Sequence, residues 1–267
     1  MFWFFAAALA GALWIGLGAR CLRGLALAEP RRDVGFVVGF REAAESLAGV
    51  ALIYFFFGPA VRTALWKNGM DPVYAAIAAT FAFQAAISVF LLFFPRRFAS
   101  GPRFFDGGAL RGFLLFLKGA AFSLAVFGLL YAVILSWSTA LKLLGHDAPP
   151  QDIVGIFTAT HTPIFKALLV VSLVFMAPLW EELFFRAGLY GALRARFGFL
   201  PAAAASSILF GLIHESMAAF VPISVLGFFF ALLYEKYGDI RVSIGAHAAF
   251  NLVNVLILVY APEMSDI

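Results

Sequence analysis

Residues 164–197 read IFKALLVVSLVFMAPLWEELFFRAGLYGALRARF. The first half is hydrocarbon-like, Glu181 and Glu182 then appear side by side, and the apolar run resumes through Leu183, Phe184, Phe185, Leu189 and Tyr190 around a single arginine, Arg186. A charged side chain at the centre of a bilayer costs roughly 2.5–3.5 kcal/mol even on lenient insertion scales. Three such groups in one apolar helix therefore need a function or a partner. Residues four apart lie on one face of a helix, so Glu182 and Arg186 can pair within their own segment. Glu181 is turned about 100° away and is free to point elsewhere.

Working outward, the same hydrocarbon character covers the chain. Of 267 residues, 63% are apolar and 13% charged, where a soluble domain carries about 25% charged residues. Mean hydropathy is +0.96. A spanning helix needs about 20 mainly apolar residues. Such stretches recur at 2–19, 46–65, 73–94, 112–137, 164–181, 200–217, 219–235 and 242–260. The expected fold is all-α, a polytopic transmembrane helical bundle of about eight helices. Residues 1–111 form N-terminal membrane helices and cytoplasmic loops, and residues 112–267 form a membrane-embedded core.

The basic residues alternate between rich and poor connections. The first, third, fifth and seventh carry Arg20, Arg23, Arg31, Arg32 and Arg41; Arg96, Arg97, Arg103 and Arg111; Arg186, Arg194 and Arg196; and Lys236 and Arg241. The second and fourth hold Arg62, Lys67 and Lys142, and the sixth holds none. The positive-inside rule places the rich connections in the cytoplasm and both termini outside the cell (inner) membrane. The net charge of +4 follows from these loops. No basic face interleaved with aromatics suggests nucleic acid as a partner. The start Met1-Phe2-Trp3-Phe4-Phe5 lacks a basic n-region, so residues 2–19 are expected to be retained as a first helix. Cys21 is the only cysteine, so neither an intramolecular disulfide nor a cysteine metal cluster is expected.

Two further patterns follow Glu181-Glu182-x-x-x-Arg186 on later apolar segments: Phe210-x-x-x-His214 and His247-x-x-x-Asn251. Phe210 lies one turn from His214 and can pack against it. His247 and Asn251 share a face and offer two donors, as an oxyanion hole requires. A carboxylate in a dry pocket gains basicity, which suits a general base acting on water. If the chain turns near 197–200, Glu181 and His214 lie about 24 Å and about 21 Å deep on neighbouring helices. His247 and Asn251, counted from Arg241, lie about 9–15 Å deep and look shallower. His214-Glu215 begins like a zincin helix, but Ala218 stands where the second histidine belongs. The run Phe228-Phe229-Phe230 reads as lipid-facing or core packing.

The three patterns, ordered on successive apolar helices within 165–255, resemble the CPBP family of CAAX prenyl endopeptidases and bacteriocin-processing enzymes, also called the Abi family of intramembrane proteases. The resemblance implies that Glu181 and His214 activate the attacking water. It implies that His247 and Asn251 stabilise the oxyanion, and that Glu182 and Arg186 hold the site or orient substrate. The implied partner is a peptide or membrane-protein substrate, prenylated or carrying a leader, in the lipid bilayer. Cofactor need stays open between none and a divalent metal such as zinc, for which Glu181, His214 and His247 are the candidate ligands. The expected activity is that of a hydrolase, a CAAX-type membrane protease. The contrasting expectation is a catalytically idle scaffold, immunity or regulatory protein of the same fold.

Overall fold

A computed structural model describes residues 2–27, 40–93, 108–146 and 152–260, and among them the chain is helical with no strand. Among the described residues nine helices follow one another. They are α1 (Phe2–Leu27); α2, built from Phe40–Leu52, a π-helical turn Ile53–Phe57 and Gly58–Lys67; α3 (Pro72–Phe93); α4 (Gly108–Leu143); α5 (Asp152–Ala159); α6 (Pro163–Phe197); α7 (Phe199–Leu212); α8 (Met217–Tyr237); and α9 (Ile240–Tyr260). Six of them (α2, α3, α4, α6, α8 and α9) are long and apolar enough to cross a membrane, while α7 is apolar but shorter. The molecule is an integral membrane protein.

Seven of the expected stretches lie in helices with shifted ends, whereas 200–217 is broken: α7 ends at Leu212 and Met217 opens α8. Helix α4 runs to Leu143 rather than 137, so Trp137 lies inside it and donates from Nε1 to the carbonyl of Met217 at 2.8 Å. The stretch that opened the sequence reading is one helix. With 35 residues, α6 is about 52 Å long, well beyond the ~30 Å of a hydrocarbon core. Arg186 and Arg194, counted above as loop charges, therefore sit within α6. Arg186 is almost wholly shielded, at 1% exposure.

Helix α6 is not regular. Pro178 has no N–H to offer the carbonyls of Val174 or Leu173, four and five residues back, and its ring crowds the preceding turn. The chain widens there into a π-helical stretch, Ser172–Met176, closed by Ala177 N–H on the carbonyl of Ser172. A second π-helical stretch, Leu183–Tyr190, carries Arg186. Glu181 and Glu182 lie on the short α-helical piece Ala177–Glu182 between the two.

The neighbours of α6 set the site. Helices α7 and α8 form an antiparallel hairpin whose close approach depends on glycine. A Cβ at Gly211 would lie 2.7 Å from the carbonyl oxygen of Phe220. Helices α4 and α9 pack closely, because a Cβ at Gly119 would overlap the carbonyl of Val242 and one at Gly245 would overlap that of Phe116. Such small-residue contacts replace the hydrophobic drive that lipid removes. One buried apolar cluster joins Ile87 and Leu91 of α3, Trp180, Leu183 and Tyr190 of α6, Ala203 of α7 and Tyr234 of α8. A second joins Val126 and Leu130 of α4 to Phe229, Phe230 and Leu233 of α8 and Ala246 of α9. Between these two clusters the ionisable groups meet. Tyr54, Phe55 and Phe56 of α2 point outward, as a lipid-facing surface requires.

Candidate active site

Glu182 is fully buried and makes two contacts through one oxygen. Oε1 lies 3.2 Å from Arg186 Nη1 on the next turn of α6, the pairing that the four-residue spacing anticipates. The same oxygen accepts from His247 Nδ1–H at 3.0 Å, which fixes the proton on that ring nitrogen. The other ring nitrogen, Nε2, lies 3.7 Å from Oε2 of Glu181. His247 thus stands between two adjacent glutamates of α6.

This meeting overturns the depth reckoning that made His247 shallow. Counting rise from each helix end assumes that the ends are level. Helix α6 continues to Phe197, fifteen positions past Glu182, whereas α9 begins only seven before His247. The two helix ends are therefore staggered, and the side chains meet in hydrogen-bonding range.

Besides Glu182, Arg186 meets a backbone carbonyl and three aromatic rings. Nη2 donates to the carbonyl of Gly227 at 2.9 Å. Its guanidinium carbon lies 4.4 Å, 5.3 Å and 5.9 Å from the ring centroids of Phe210, Phe230 and Phe185. Such cation–π contacts gain strength where water is excluded. Gly227 is small for a reason, since a Cβ there would lie 3.0 Å from both Arg186 Nη2 and Phe210 Cδ1.

His214 follows the end of α7. Its Nδ1–H donates to the carbonyl of Phe210 at 2.7 Å, leaving Nε2 as an acceptor. The Phe210 ring meets His214 edge-on at 5.0 Å and His247 at 5.8 Å, so Phe210 bridges the two imidazoles. The next residue, Glu215, has a φ of +50° and breaks the helix, and Ser216 caps α8 by accepting from Ala219 N–H at 3.3 Å. His214-Glu215 is therefore a turn and not the start of a zincin helix. Asn251, one turn beyond His247, donates from Nδ2 to the carbonyl of Leu173 at 2.8 Å. That is the carbonyl five residues before Pro178, which has no N–H to bond it.

Of the six residues singled out in the sequence, Glu182 contacts Arg186 and His247, and His247 also approaches Glu181; His214 is linked to His247 through the Phe210 ring, and Asn251 is bonded to Leu173. The three candidate zinc ligands are arranged differently from a metal centre. Among the described residues no three His, Cys, Asp or Glu side chains come together as a metal-binding group. His247 and His214 are each held through Nδ1, by Glu182 and by the Phe210 carbonyl, which leaves both Nε2 atoms uncommitted. No step below passes through a metal.

A second buried polar group escaped the sequence reading. Glu235 of α8, 1% exposed, accepts from the Tyr190 hydroxyl and, at 2.8 Å, from Arg194 Nη2. With Arg186 on Gly227 it ties α6 to α8 at two levels. Tyr190 and Arg194 are four apart on α6, a usable signal, but Glu235 beside Lys236 reads as an ordinary interfacial charge.

The fold and this centre define a class: an integral membrane protein whose helices enclose two carboxylates, a guanidinium and an imidazole. Residues 163–253 match the family described as Type II CAAX prenyl endopeptidase Rce1-like. It is 33% identical over 89 residues to "Putative membrane peptidase YdiL" of Bacillus subtilis (strain 168), covering 33% of this chain and 36% of that protein. It is 28% identical over 156 residues to an uncharacterized protein of Mycoplasma capricolum subsp. capricolum (strain California kid), covering 55% of this chain and 45% of that one. The matches span less than half the length of either relative. No solved structure matches the chain.

Proposed function

We propose that the protein is an intramembrane endopeptidase that hydrolyses a peptide bond of a membrane-associated substrate. The observation that carries this reading is the approach of Glu181 Oε2 to His247 Nε2, 3.7 Å apart in a buried centre. The family match supports it. Charge balance adds to the argument, since buried ions persist when paired. With His247 as the imidazolium, two carboxylates face two cations, and the centre is neutral overall.

In this mechanism a water bridges the Glu181 carboxylate and His214 Nε2. Glu181 takes a proton from the water as the oxygen bonds to the scissile carbonyl carbon. The carbonyl oxygen becomes an oxyanion and accepts from His247 Nε2–H and from the second N–H of Asn251. Glu182 serves His247 as counter-ion through Nδ1. When the carbon–nitrogen bond breaks, the proton held by Glu181 passes to the leaving amine. The products are a carboxylic acid and an amine, which exchange a proton to leave as carboxylate and ammonium, with one water consumed. Arg186 holds Glu182 in place and does not touch substrate.

The resemblance supports a prenylated peptide end or a leader-bearing membrane protein as the substrate class. The alternation of basic connections supports a cell-membrane location with both termini outside. Comparison of protein termini in host membranes with and without the expressed chain tests the reading. New carboxyl and amino termini flanking one bond are expected only when the chain is present, and they persist after dialysis against a chelator. Identical sets of termini would overturn it.

A further inference from the structure

The Phe228-Phe229-Phe230 run looks like undifferentiated packing, but its three rings do different things. The Phe228 ring meets Phe199 of α7 at 6.0 Å. Phe229 belongs to the apolar cluster with α4 and is 4% exposed. Phe230 is fully shielded and lies against the ionisable centre. Its ring stacks on the His247 imidazole with centroids 4.8 Å apart and planes 26° from parallel. The same ring lies 5.3 Å from the Arg186 guanidinium. Gly227, which accepts from Arg186, is one turn earlier on the same face of α8.

We propose that Phe230 is a positioning residue of this site: its ring face, with the Glu182 carboxylate at the imidazole's edge, holds His247 in the orientation that turns Nε2 toward Glu181. A hydrogen bond at Nδ1 fixes one atom of the ring but leaves its plane free to swing about that bond. The swing moves Nε2 most, because Nε2 lies on the far side of the ring from the anchored atom. A flat surface against the imidazole removes that freedom. The Phe210 edge, 5.8 Å away and 87° to the ring plane, closes another side. An aliphatic side chain of similar volume would fill the space next to His247 but would present no plane. Aromatic faces also attract the charged ring, since their quadrupole is negative above the ring.

The orientation itself does not depend on what the site does; its consequence for cleavage rests on the proteolytic reading. The test uses the full chain in lipid nanodiscs with 15N-labelled histidine. Only four histidines are present, so the His247 pair of nitrogen signals is identified by its loss in His247→Gln. Wild type is expected to show His247 in one state with a protonated Nδ1. Phe230→Leu is expected to split or broaden the His247 signals while those of His214, His146 and His161 stay in place, which also reports that the fold is intact. Phe230→Met, of similar volume, should behave as Phe230→Leu does, and Phe230→Tyr, which restores the flat face, should keep the wild-type pattern. Cleavage should fall in the aliphatic variants by about 10²-fold, the typical effect of misplacing a group by an ångström, with the loss in kcat rather than KM. Unchanged His247 signals in Phe230→Leu and Phe230→Met would overturn the proposal. Altered His247 signals in a chain whose wild type generates no new termini would support the positioning role and overturn the proteolytic reading.

Discussion

Asn251 donates to the carbonyl of Leu173 at 2.8 Å, a bond that joins the last helix to the bend of α6. The acceptor is available because Pro178, five residues on, has no N–H. A sequence feature that looks like a helix fault thus supplies the anchor for a residue of the site, and two functions of Asn251 can be separated by size of effect. Interhelical hydrogen bonds in membranes contribute about 0.6 kcal/mol on average and at most about 1.7. Asn251→Leu should therefore lower unfolding stability in bicelles by about that amount. Loss of an oxyanion donor costs about 10²–10³ in rate. A cleavage loss of that size with a small stability change is expected, and parallel small losses would confine Asn251 to the tether.

Glu182 and Arg186 pose a sharper stability test. Removing one partner of a buried ion pair leaves an uncompensated charge and costs about 3–5 kcal/mol. Glu182→Gln or Arg186→Met alone should show this in reversible unfolding. The double variant Glu182→Met with Arg186→Met should recover most of the loss, because the pair is replaced by apolar volume. It should remain inactive, since His247 loses the acceptor at Nδ1.

The packing of α4 on α9 can be probed at Gly119. A methyl group there meets the Val242 carbonyl, and overpacking of this kind costs about 1–3 kcal/mol, more where backbone must move. Gly119→Ala should lower the unfolding midpoint. Gly24→Ala of α1, where a Cβ meets nothing within 4 Å, should change stability by no more than about 0.5 kcal/mol.

The turn that follows His214 holds Glu215 at φ +50°, a region that costs an L-residue roughly 1–2 kcal/mol. Glu215→Gly should raise stability by about 1 kcal/mol, and Glu215→Val should lower it and reduce cleavage by displacing His214. Thermal unfolding of the three proteins in one detergent decides it.

Much of this arrangement is legible in the chain. Hydropathy finds every long helix, and the four-residue spacings of Glu182 with Arg186 and Phe210 with His214 appear as contacts of 3.2 Å and 5.0 Å. What stays hidden depends on partners distant in sequence. Arg194 looks like a loop charge until Glu235, 41 residues later, is found beside it. His247 looks shallow because rise per residue carries no information on how helix ends are staggered. Phe230 cannot be told from Phe228 or Phe229 by composition, since only the helices packed around α8 distinguish their faces. Lys118, inside the apolar stretch 112–137, lies over the Tyr237 ring at 4.6 Å, a partner 119 residues away that hydropathy does not show.

The most direct test of the proposed chemistry is Glu181→Gln at wild-type expression, with protein termini and unfolding measured on the same membranes. The mechanism predicts that the new termini disappear while a cooperative unfolding transition is kept, its midpoint lowered because His247 loses one of the two carboxylates that balance its charge. Persistence of those termini at wild-type levels would contradict the assignment of Glu181 as the group that activates water.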